Sequence, residues 1–539
     1  MPRAARAVLI SPVIEHRQPG GSASSLRLAE LLAAVSLATD LADDVPYGTT
    51  LRDAITVVDF AQLAGLTGDD VSDAYYLALL HHVGCTSAVL PQAKVSGGDD
   101  VSARHWYSEA DYADRAQLLR LASTRVGREW GLGTRVRAVA GLVTASPAFM
   151  AESIVGICEV GARLGERLGA APNVTEALDQ AYARWDGKIF LALPKGEAIS
   201  RLARLVHVVH IARTFHRAGG TNAADEVIRM RRGGELDPEL SDLWLANSAE
   251  LLERGNTESV WEVAMAAEPR PWREVATSHV DKVSDTLADF VDLKASLAVA
   301  HSSHVAELAA AAGGAAGLTG AEVVTLRRAG LVHDLGNVSV PHKVLAKKSP
   351  LDRAETDRVR LHPYHTHRVL SVSGPMREIA DLAGMHHERP DGSGYHRGLP
   401  AAAIPFAARI LASAEAYRSM LEPRPWRAAL SPGQVADELR REAKEGRLDR
   451  RAVDAVLESS GQGGPRRRSE RSWPSGLTDR EVDVLRMLAG GRSNKEIARD
   501  LHVSEATVHT HVINVYGKIG LNTRAGATLF ALENDLIQL

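Results

Sequence analysis

Cysteine is nearly absent from this chain of 539 residues, in which Cys85 and Cys158 are the only two. Two thiols in such a length exclude a disulfide framework and favour a reducing compartment. Aromatic residues make up only 5% of the chain, while Ala, Leu and Arg are abundant, a balance that favours helical packing with few strands. The net charge of -4 excludes a chain-wide attraction to nucleic acid, so any such role must be local.

Long hydrophobic runs are also missing. Residues 1–17 contain an apolar stretch that Pro12 and Glu15 interrupt, which is a poor match to a signal peptide. The Ala-rich stretch 305–318 is too short and too rich in glycine to span a bilayer. We therefore expect a cytoplasmic protein without a membrane partner, and the length predicts three or more domains.

An internal repeat organises the first 460 residues. The sequence Gly-Leu-Thr-Gly at 65–68 recurs at 317–320, and a histidine, His81 or His333, follows at the same distance in each copy. Further downstream, residues 184–187 match 389–392, and residues 234–237 match 446–449. We predict a first copy at 25–250, with an insertion between 95 and 145, and a second copy at 280–458.

The second copy contains a pattern typical of a metal site. A His-His pair runs into an acidic, glycine-rich turn at 388–397, and more histidines lie upstream. Helical periodicity predicts that His301 begins one helix and that His333 and Asp334 end the next, so an antiparallel pair would bring them together. Imidazole with carboxylate suits Mn, Fe or Zn, and a shared aspartate can bridge two ions. Two ions that bracket a water produce hydroxide at neutral pH, which is the chemistry of phosphoester cleavage.

The histidine series, together with the His-Asp-x-Gly motif at 333–336, resembles the HD-GYP family, a branch of the HD phosphohydrolases that cleaves cyclic di-GMP. The resemblance covers about residues 290–430. It implies a centre of two divalent ions (Fe, Mn or Zn), bridged by Asp334, and it implies a catalytic role for Asp334, Arg424 and Arg427, with the arginines contacting phosphate. The implied metal ligands are His301, His333, Asp334, His362, His386, His387 and Glu415.

The chain departs from the family pattern at several positions, including His342 and Arg418, and three of the departures weigh most on catalysis. Asn337 stands where the family has Lys, His396 replaces the proline of the naming tripeptide, and Glu415 replaces an Asp ligand. Loss of a cation near the scissile phosphate would remove a few kcal/mol of transition-state stabilisation. Two hypotheses therefore stay open: a sensor that binds metal and a nucleotide-like ligand, or an active phosphodiesterase. The structural alternative is that these histidines only pack.

The first copy has lost part of this ligand set. At the corresponding positions it carries Thr49, His81, His82, Ile157, Ala181, Tyr182 and His210. Because Ile, Ala and Tyr cannot hold a dinuclear centre, we predict that this copy is not an enzyme. A ligand pocket and a platform for packing or dimerisation both remain open.

The C-terminal segment begins after a Gly/Ser/Arg linker predicted at 459–475, and helical patterning resumes over 476–539. Thr478 and Glu481 form a capping box, and Gly490 ends the first helix. Ser504 caps a helix predicted from Glu505 to Ile519, which follows a short helix after a tight turn. Two helices joined in this way are typical of a helix-turn-helix.

This segment resembles the LuxR-type helix-turn-helix family. The resemblance implies that residues 505–518 lie in the major groove of double-stranded DNA, and that the last helix, from Arg524 to Leu536, pairs two subunits into a homodimer. The matching positions are 477–481, 494–498, 504–508, 511–512 and 518–520. The residues expected at the DNA interface are Lys495, Ser504, Thr507, Val508, His509, Thr510, His511, Asn514 and Lys518.

Taken together, the sequence predicts an all-α protein with tandem HD-type domains followed by a four-helix LuxR-type domain. The preferred function is a DNA-binding regulator whose HD-type region binds a cyclic dinucleotide or another phosphoester. The alternatives are a phosphodiesterase that uses the DNA-binding module for placement and a protein-interaction scaffold. The preference rests on the nearly intact helix-turn-helix beside catalytic motifs altered at Asn337, His396 and Glu415.

Overall fold

A computed structural model describes residues 25–89, 98–111, 147–189, 191–295, 300–461, 473–534 and 536–537, with scattered positions elsewhere in 90–146. Residues 1–17, most of the predicted insertion at 95–145 and most of the predicted linker at 459–475 lie outside the described residues. The expected all-α class is confirmed, since helices make up nearly all the regular structure of the described part.

The helices of the first copy are numbered in chain order. They are α1 Leu28–Ala42, α2 Thr49–Leu63, α3 Asp69–Leu80, α4 Asp100–Tyr107, α5 Pro147–Arg167, α6 Pro172–Asp179, α7 Arg201–Arg231, α8 Pro238–Arg254 and α9 Val260–Ala267. Short 3-10 helices lie at Cys85–Ala88 and Gly196–Ala198.

The second copy continues the numbering. Its helices are α10 His279–Ala295, α11 His301–Ala315, α12 Gly320–Val332, α13 His342–Leu345, α14 Arg353–Arg360, α15 His362–Leu370, α16 Arg377–Ala383, α17 Phe406–Leu421, α18 Pro432–Lys444 and α19 Arg450–Gly461. Its 3-10 helices are Leu335–Ser339, Gly374–Met376 and Ala401–Ala403.

Two short strands tie the copies together. Strand β1, Ser25–Arg27, precedes α1, and strand β2, Glu274–Ala276, precedes α10. They pair antiparallel with Leu26 opposite Val275. Each copy therefore begins with the same strand-helix unit, and the two units meet at their strands.

The copies repeat side-chain contacts as well as helices. In the first copy, the Asp40 carboxylate accepts hydrogen bonds from the backbone N and Oγ1 of Thr50, at 3.0 and 2.6 Å. In the second copy, Asp292 accepts bonds from the backbone N and Oγ of Ser302, at 3.3 and 2.8 Å. In each copy these two bonds anchor the start of the following helix, α2 or α11. The duplication therefore extends to buried polar contacts.

A second repeated contact lies near the end of each copy. Arg204 of α7 donates from Nη1 to Oδ2 of Asp237 at 2.6 Å, and Arg409 of α17 donates from Nη1 to Oδ2 of Asp449 at 2.9 Å. Each pair joins a long helix to the turn that precedes the last helices of its copy. The duplicated sequence has therefore folded twice into one arrangement.

Small residues allow α11 and α12 to approach closely. A Cβ added at Gly330 of α12 would lie 2.6 Å from Cα of Ala306 in α11, closer than real contacts allow. The Thr319–Glu322 capping box fixes the start of α12. The antiparallel helix pair expected from periodicity forms, with His301 at the start of α11 and His333 directly after α12.

One continuous apolar core extends through both copies, which we call the duplicated region, residues 25–461. Its largest fully buried side chains include Trp244, Tyr75, Tyr76 and Phe60. Among the described residues, no helix combines the length and apolar character that a bilayer crossing requires.

The C-terminal domain, residues 473–537, has its own core, built around Val484, Leu485, Val508 and Phe530. A 3-10 helix at Pro474–Gly476 precedes its helices. These are α20 Asp479–Ala489, α21 Asn494–Asp500, α22 Glu505–Ile519 and α23 Arg524–Glu533. The capping boxes at Thr478 and Ser493 begin α20 and α21, and Ser504 caps α22 by accepting a bond from the backbone N of Thr507. The last helix ends at Glu533, three residues before the predicted Leu536.

Candidate metal centre and DNA-binding surface

The predicted metal ligands come from five different elements and meet at one place. His301 is the first residue of α11, and the His333-Asp334 pair directly follows α12. His362 begins α15, and Glu415 lies within α17. His386 and His387 follow α16, which ends at Ala383 rather than at the His pair as expected. The structure brings all seven predicted ligands together.

The first group of donors surrounds Glu415. Its Oε2 lies 2.8 Å from Nε2 of His301 and 3.4 Å from Nε2 of His333. Oδ2 of Asp334 lies 3.9 Å from Nε2 of His301 and 3.7 Å from Nε2 of His333. Two imidazoles and two carboxylates thus converge on one volume.

The second group lies on the other side of Asp334. Its Oδ1 is 3.3 Å from Nε2 of His362 and 3.7 Å from Nε2 of His386. The Nε2 atoms of His362 and His386 are 2.9 Å apart. The His387 ring centroid lies 5.0 Å from that of His362 and 4.2 Å from that of His386. Because its two oxygens face different groups, Asp334 has the geometry of a bridging ligand.

Unpartnered buried atoms indicate that these donors suit a cation. Nε2 of His301, Nε2 of His333 and Oε2 of Glu415 are buried and lie close to one another, yet none of them makes a contact with hydrogen-bond geometry among the described residues. Leaving such atoms unsatisfied costs about 1–3 kcal/mol each. An ion at their meeting point would satisfy all three, so the residues present fit a divalent metal.

The protonation states of Asp334, His386 and His387 agree with metal binding. Burial opposes ionisation of Asp334, but the facing His333 and His362 outweigh it and hold the pKa of this carboxyl well below its usual range. Burial, reinforced by neighbouring imidazoles, holds the pKa values of His386 and His387 well below 6.5. The aspartate is therefore ionised and these two histidines are neutral, which are the forms that bind metal.

Backbone carbonyls fix the orientation of three histidines. Nδ1 of His333 contacts the carbonyl oxygen of Gly330 at 2.8 Å, and His362 and His386 make the same contact with the residues three positions before them, at 2.7 and 2.6 Å. With Nδ1 donating to a carbonyl, Nε2 is the nitrogen left to bind an ion.

Glu422 orients His301, a role that the sequence pattern did not predict. This carboxylate is 1% exposed, and its two oxygens lie 2.9 and 3.0 Å from Nδ1 of His301. A carboxylate behind a ligating histidine fixes the ring and strengthens it as a donor. No spacing rule marks Glu422 in advance, because the contact depends on the turn that follows α17.

The two arginines predicted to contact phosphate instead form bonds with residues of α17 and of the turn that follows it. Arg424 donates from Nη2 to Oγ of Ser419 at 2.9 Å and lies 3.1 Å from Oε2 of Glu422. Arg427 donates to the backbone oxygens of Ser419 and Met420, at 2.8 and 2.9 Å. Ser419 in turn donates to Oε1 of Glu415 at 2.6 Å. Arg424 thus supports Glu415 through Ser419, and a direct catalytic role for either arginine stays a prediction.

Glycines allow the backbone to close around the ligands. A Cβ at Gly336, in the His-Asp-x-Gly motif, would lie 2.0 Å from the carbonyl oxygen of His362. Its backbone N donates to Oγ1 of Thr366 at 2.9 Å, and that hydroxyl donates to the carbonyl oxygen of His333 at 3.0 Å. The motif glycine therefore brings the His333-Asp334 turn against α15. Asn337, at the family's lysine position, is half-buried in the same turn.

The acidic turn after His387 is stabilised by contacts between its own residues. Glu388 is 1% exposed and accepts hydrogen bonds from the backbone N atoms of Arg397 and Leu399, both at 2.8 Å. The Tyr395 ring stacks on His387 with centroids 4.6 Å apart and 26° between the planes. The turn therefore forms one wall of the centre.

The C-terminal domain presents α22 on its surface. Four of the predicted DNA-contacting side chains on it are exposed, as is Lys495 on α21, and His511 is half-buried. Val508 is fully buried in the core of the domain, and Ser504 caps α22. These four side chains are Thr507, His509, Thr510 and Asn514, and Lys518 at the end of α22 is exposed as well.

Lys518 is engaged inside the domain. Its Nζ donates to Oε2 of Glu481 at 2.6 Å and to the backbone oxygen of Gly476 at 3.0 Å. The cation thereby joins α22 to the capping box that begins α20. Its predicted phosphate contact would require this bond to be shared or broken.

The C-terminal domain docks on the duplicated region through α23. Glu159 of α5 accepts bonds from the backbone N and Nδ2 of Asn522, at 3.1 and 3.0 Å, and from Oγ1 of Thr523 at 3.0 Å. Arg163 donates from Nε to both carboxylate oxygens of Glu533, at 2.8 and 2.7 Å. Leu529 of α23 belongs to the core of the duplicated region. Leu532 packs against Ala300, the residue directly before His301.

Comparison with known proteins agrees with both parts of this description. Residues 285–452 match the family model of the HD domain, and residues 475–531 match that of the luxR family of bacterial regulatory proteins. The chain therefore carries an HD domain and, behind it, a luxR-family helix-turn-helix domain.

Individual relatives are cyclic-dinucleotide phosphodiesterases. The chain is 24% identical over 406 residues to the 3'3'-cGAMP-specific phosphodiesterase 3 of Vibrio cholerae, covering 75% of this chain and 88% of that protein. It is 38% identical over 163 residues to the cyclic di-GMP phosphodiesterase response regulator RpfG of Xanthomonas campestris, covering 30% of this chain and 42% of that protein. A crystal structure of a cyclic GMP-AMP specific phosphodiesterase of V. cholerae has a TM-score of 0.57 at 20% identity, covering 81% of this chain and 99% of that one. That likeness shows a shared fold.

Proposed function

We propose that the protein is a sequence-specific DNA-binding transcriptional regulator whose duplicated region binds divalent metal and a nucleotide-like ligand and thereby controls DNA binding. The observation that carries this proposal is the docking of α23 beside the first metal ligand, where Leu532 packs on Ala300. The relatives that act on cyclic dinucleotides support the class of ligand.

The docking gives a physical route from ligand to DNA. Because Ala300 is bonded to His301, a ligand that shifts His301 also shifts the surface on which Leu532 rests. By the LuxR-type resemblance, α23 pairs two subunits, yet here Leu529 and Leu532 are covered by the duplicated region. Docking and subunit pairing therefore compete for one helix, and a ligand that favours either state shifts the balance.

The metal would be held by the residues that already converge. Divalent ions would supply an electrophilic site for a phosphate group and activate water there. Glu422 would keep His301 oriented, and Ser419 would keep Glu415 oriented. The first ion is assigned to His301, His333 and Glu415, and the second to His362, His386 and His387, with Asp334 between them.

The test of DNA recognition is selection of bound sequences from a random double-stranded library by the purified full chain, followed by fluorescence anisotropy on the selected site. Thr507→Ala and Asn514→Ala on α22 are expected to weaken binding by about 1–3 kcal/mol each, as loss of a base contact does. Arg440→Ala, an exposed arginine on α18, is the matched control and leaves the affinity unchanged. Absence of any enriched sequence, with no binding at low salt, would overturn the proposal.

A second candidate function is a phosphodiesterase that acts on cyclic di-GMP or a related phosphoester. It is favoured by the convergence of all seven predicted ligands and by the relatives, which are phosphodiesterases of cyclic dinucleotides. Hydrolysis of cyclic di-GMP and 3'3'-cGAMP would be measured for the wild type and for His333→Ala. The control is His367→Ala, a histidine on α15 whose Nε2 contacts Asp381 at 3.0 Å on the surface. Turnover that His333→Ala abolishes and His367→Ala retains would establish this function. Bound metal without turnover would exclude it and favour the regulator that binds the ligand without cleaving it.

A further inference from the structure

The first copy contains a partly open cavity of about 130 Å³ whose wall includes several histidines and carboxylates. The ends of α3 and α6 and the middle of α7 contribute to its wall, together with residues of α1, α2 and α5. Three histidines, His81, His82 and His210, line it side by side, and their ligand atoms lie within 4.8 Å of one another. A cluster of three imidazoles at this separation is unusual in a site whose only role is packing.

The repeat places these histidines at metal-ligand positions. In the alignment of the copies, His81 corresponds to His333, and the next residue, His82, corresponds to Asp334. The ungapped match of Ala203-Arg204 with Ala408-Arg409 brings His210 to the position of Glu415. His81, His82 and His210, which we call the triad, thus occupy three of the four positions that form the first donor group of the second copy. Thr49 stands at the fourth position, in place of His301.

The triad has the dimensions of a donor group. The ring centroids of His81 and His82 are 5.0 Å apart, those of His81 and His210 are 5.0 Å apart, and those of His82 and His210 are 4.9 Å apart. In the second copy, the three histidines of the second donor group have centroids separated by 4.2 to 5.0 Å. The same fold therefore presents two triangles of imidazoles of similar size.

Carboxylates and burial prepare the triad for an ion. Nδ1 of His82 lies 3.0 Å from Oδ2 of Asp43, a contact that orients ligating histidines in metal sites. Nδ1 of His210 is buried with no hydrogen-bond partner among the described residues, and Oδ2 of Asp53 is 3.6 Å away.

The rest of the cavity limits the site to one ion. The positions of the second donor group are taken by Ile157, Ala181 and Tyr182, all of which line the same cavity. No imidazole or carboxylate stands at these three positions. The cavity leaves room beside the triad for a fourth ligand, which a tetrahedral ion held by three histidines requires.

We propose that His81, His82 and His210 hold a single divalent transition-metal ion of the zinc class in the first copy. Imidazole donors suit such ions, and three neutral ligands select them over magnesium or calcium, which prefer oxygen. The site is separate from the dinuclear centre proposed for the second copy. It retains one half of that centre, with histidine in place of both carboxylates.

The first test counts ions. The full chain is depleted of metal, dialysed against Zn²⁺ and measured by elemental analysis. His81→Gln/His210→Gln is expected to hold one ion per chain fewer than the wild type, whatever the second copy binds. His207→Gln is the control, because His207 lines the same cavity on α7 with its centroid 6.2 Å from that of His81. An unchanged count in the double variant, or an equal loss in the control, would overturn the proposal.

The second test does not depend on a lost signal. Co²⁺ bound to a cysteine thiolate gives a charge-transfer absorption band that Co²⁺ bound to histidine lacks. The second copy contains no cysteine, so such a band reports only on the first copy. We expect no band in Co²⁺-loaded wild type and a band in His81→Cys. A band in the wild type would place the ion on Cys85, which lies 3.9 Å from Nδ1 of His82, and would refute the triad, as would its absence in His81→Cys.

Discussion

The contact between α5 and α23 makes a quantitative prediction about DNA affinity. If the docked state withholds α23 from subunit pairing, then weakening the docking strengthens DNA binding. The double substitution Glu159→Ala/Arg163→Ala removes the carboxylate that accepts three hydrogen bonds from Asn522 and Thr523. It also removes the nearer of the two arginines that contact Glu533. The residues contacted, Asn522, Thr523 and Glu533, lie outside α22 and are not among the residues predicted to contact DNA.

The magnitude follows from the exposure of the groups. The side chains of Arg163 and Glu533 are 32% and 12% exposed, so solvent reduces their ion pair to about 1 kcal/mol. The half-buried Glu159, with its three hydrogen bonds, contributes about 1–2 kcal/mol. Together the docked state loses about 2–3 kcal/mol, which corresponds to a shift of roughly 30- to 150-fold in its equilibrium with the undocked state.

The assay is fluorescence anisotropy of the full chain on its selected DNA site, with analytical ultracentrifugation for subunit pairing. The double variant is expected to bind DNA more tightly, by up to that factor, and to pair at lower concentration. Glu166→Ala, an exposed glutamate on the same helix, is the matched control. An affinity within twofold of the wild type, or a weaker one, would refute the competition between docking and pairing.

Three further predictions concern single residues. Gly336→Ala forces a Cβ to within 2.0 Å of the carbonyl oxygen of His362, so we expect it to lower the free energy of unfolding by about 1–3 kcal/mol and to release metal. Gly320→Ala, which has open space around its Cβ, is the control. Equal melting temperatures for the two variants would contradict the close packing at Gly336. Glu422→Gln keeps the shape but loses the charge behind His301, so metal affinity measured by calorimetry should fall about 10- to 100-fold, whereas exposed Glu458→Gln should not change it. Val508→Ala should destabilise the C-terminal domain by about 2 kcal/mol in thermal unfolding, while Thr507→Ala should weaken DNA binding without altering stability. Loss of stability in Thr507→Ala, with loss of DNA binding alone in Val508→Ala, would show that α22 is oriented differently.

Sequence reasoning located the candidate metal ligands because their positions are set by helix ends. His301 and His362 begin helices and His333 follows one, and the structure brings the three residues together. Asp334 lies between the donor groups because it adjoins His333 at the end of α12. Local patterns of this kind carry enough information to place a ligand on an element.

Contacts that depend on tertiary packing could not be predicted in this way. Glu422 reaches His301 only through the turn after α17, and that turn also engages Arg424 and Arg427, which the family pattern had directed to phosphate. The repeat aligns His82 and His210 with ligand positions of the second copy, but their proximity depends on the packing of α3 and α7, which the sequence does not describe. The docking of α23 likewise follows from surfaces that no periodicity describes.

The most direct test of the central claim is the DNA affinity of the full chain with and without metal. The dissociation constant for the selected site would be measured on metal-depleted and Mn²⁺-loaded protein, in the wild type and in Leu532→Ala. Coupling between two sites is typically worth about 1–3 kcal/mol, so we predict a change of at least fivefold on metal loading in the wild type. In Leu532→Ala, where the contact with Ala300 is lost, the change should be smaller. Equal dissociation constants for the metal-depleted and metal-loaded wild type would contradict the claim that the metal centre controls DNA binding.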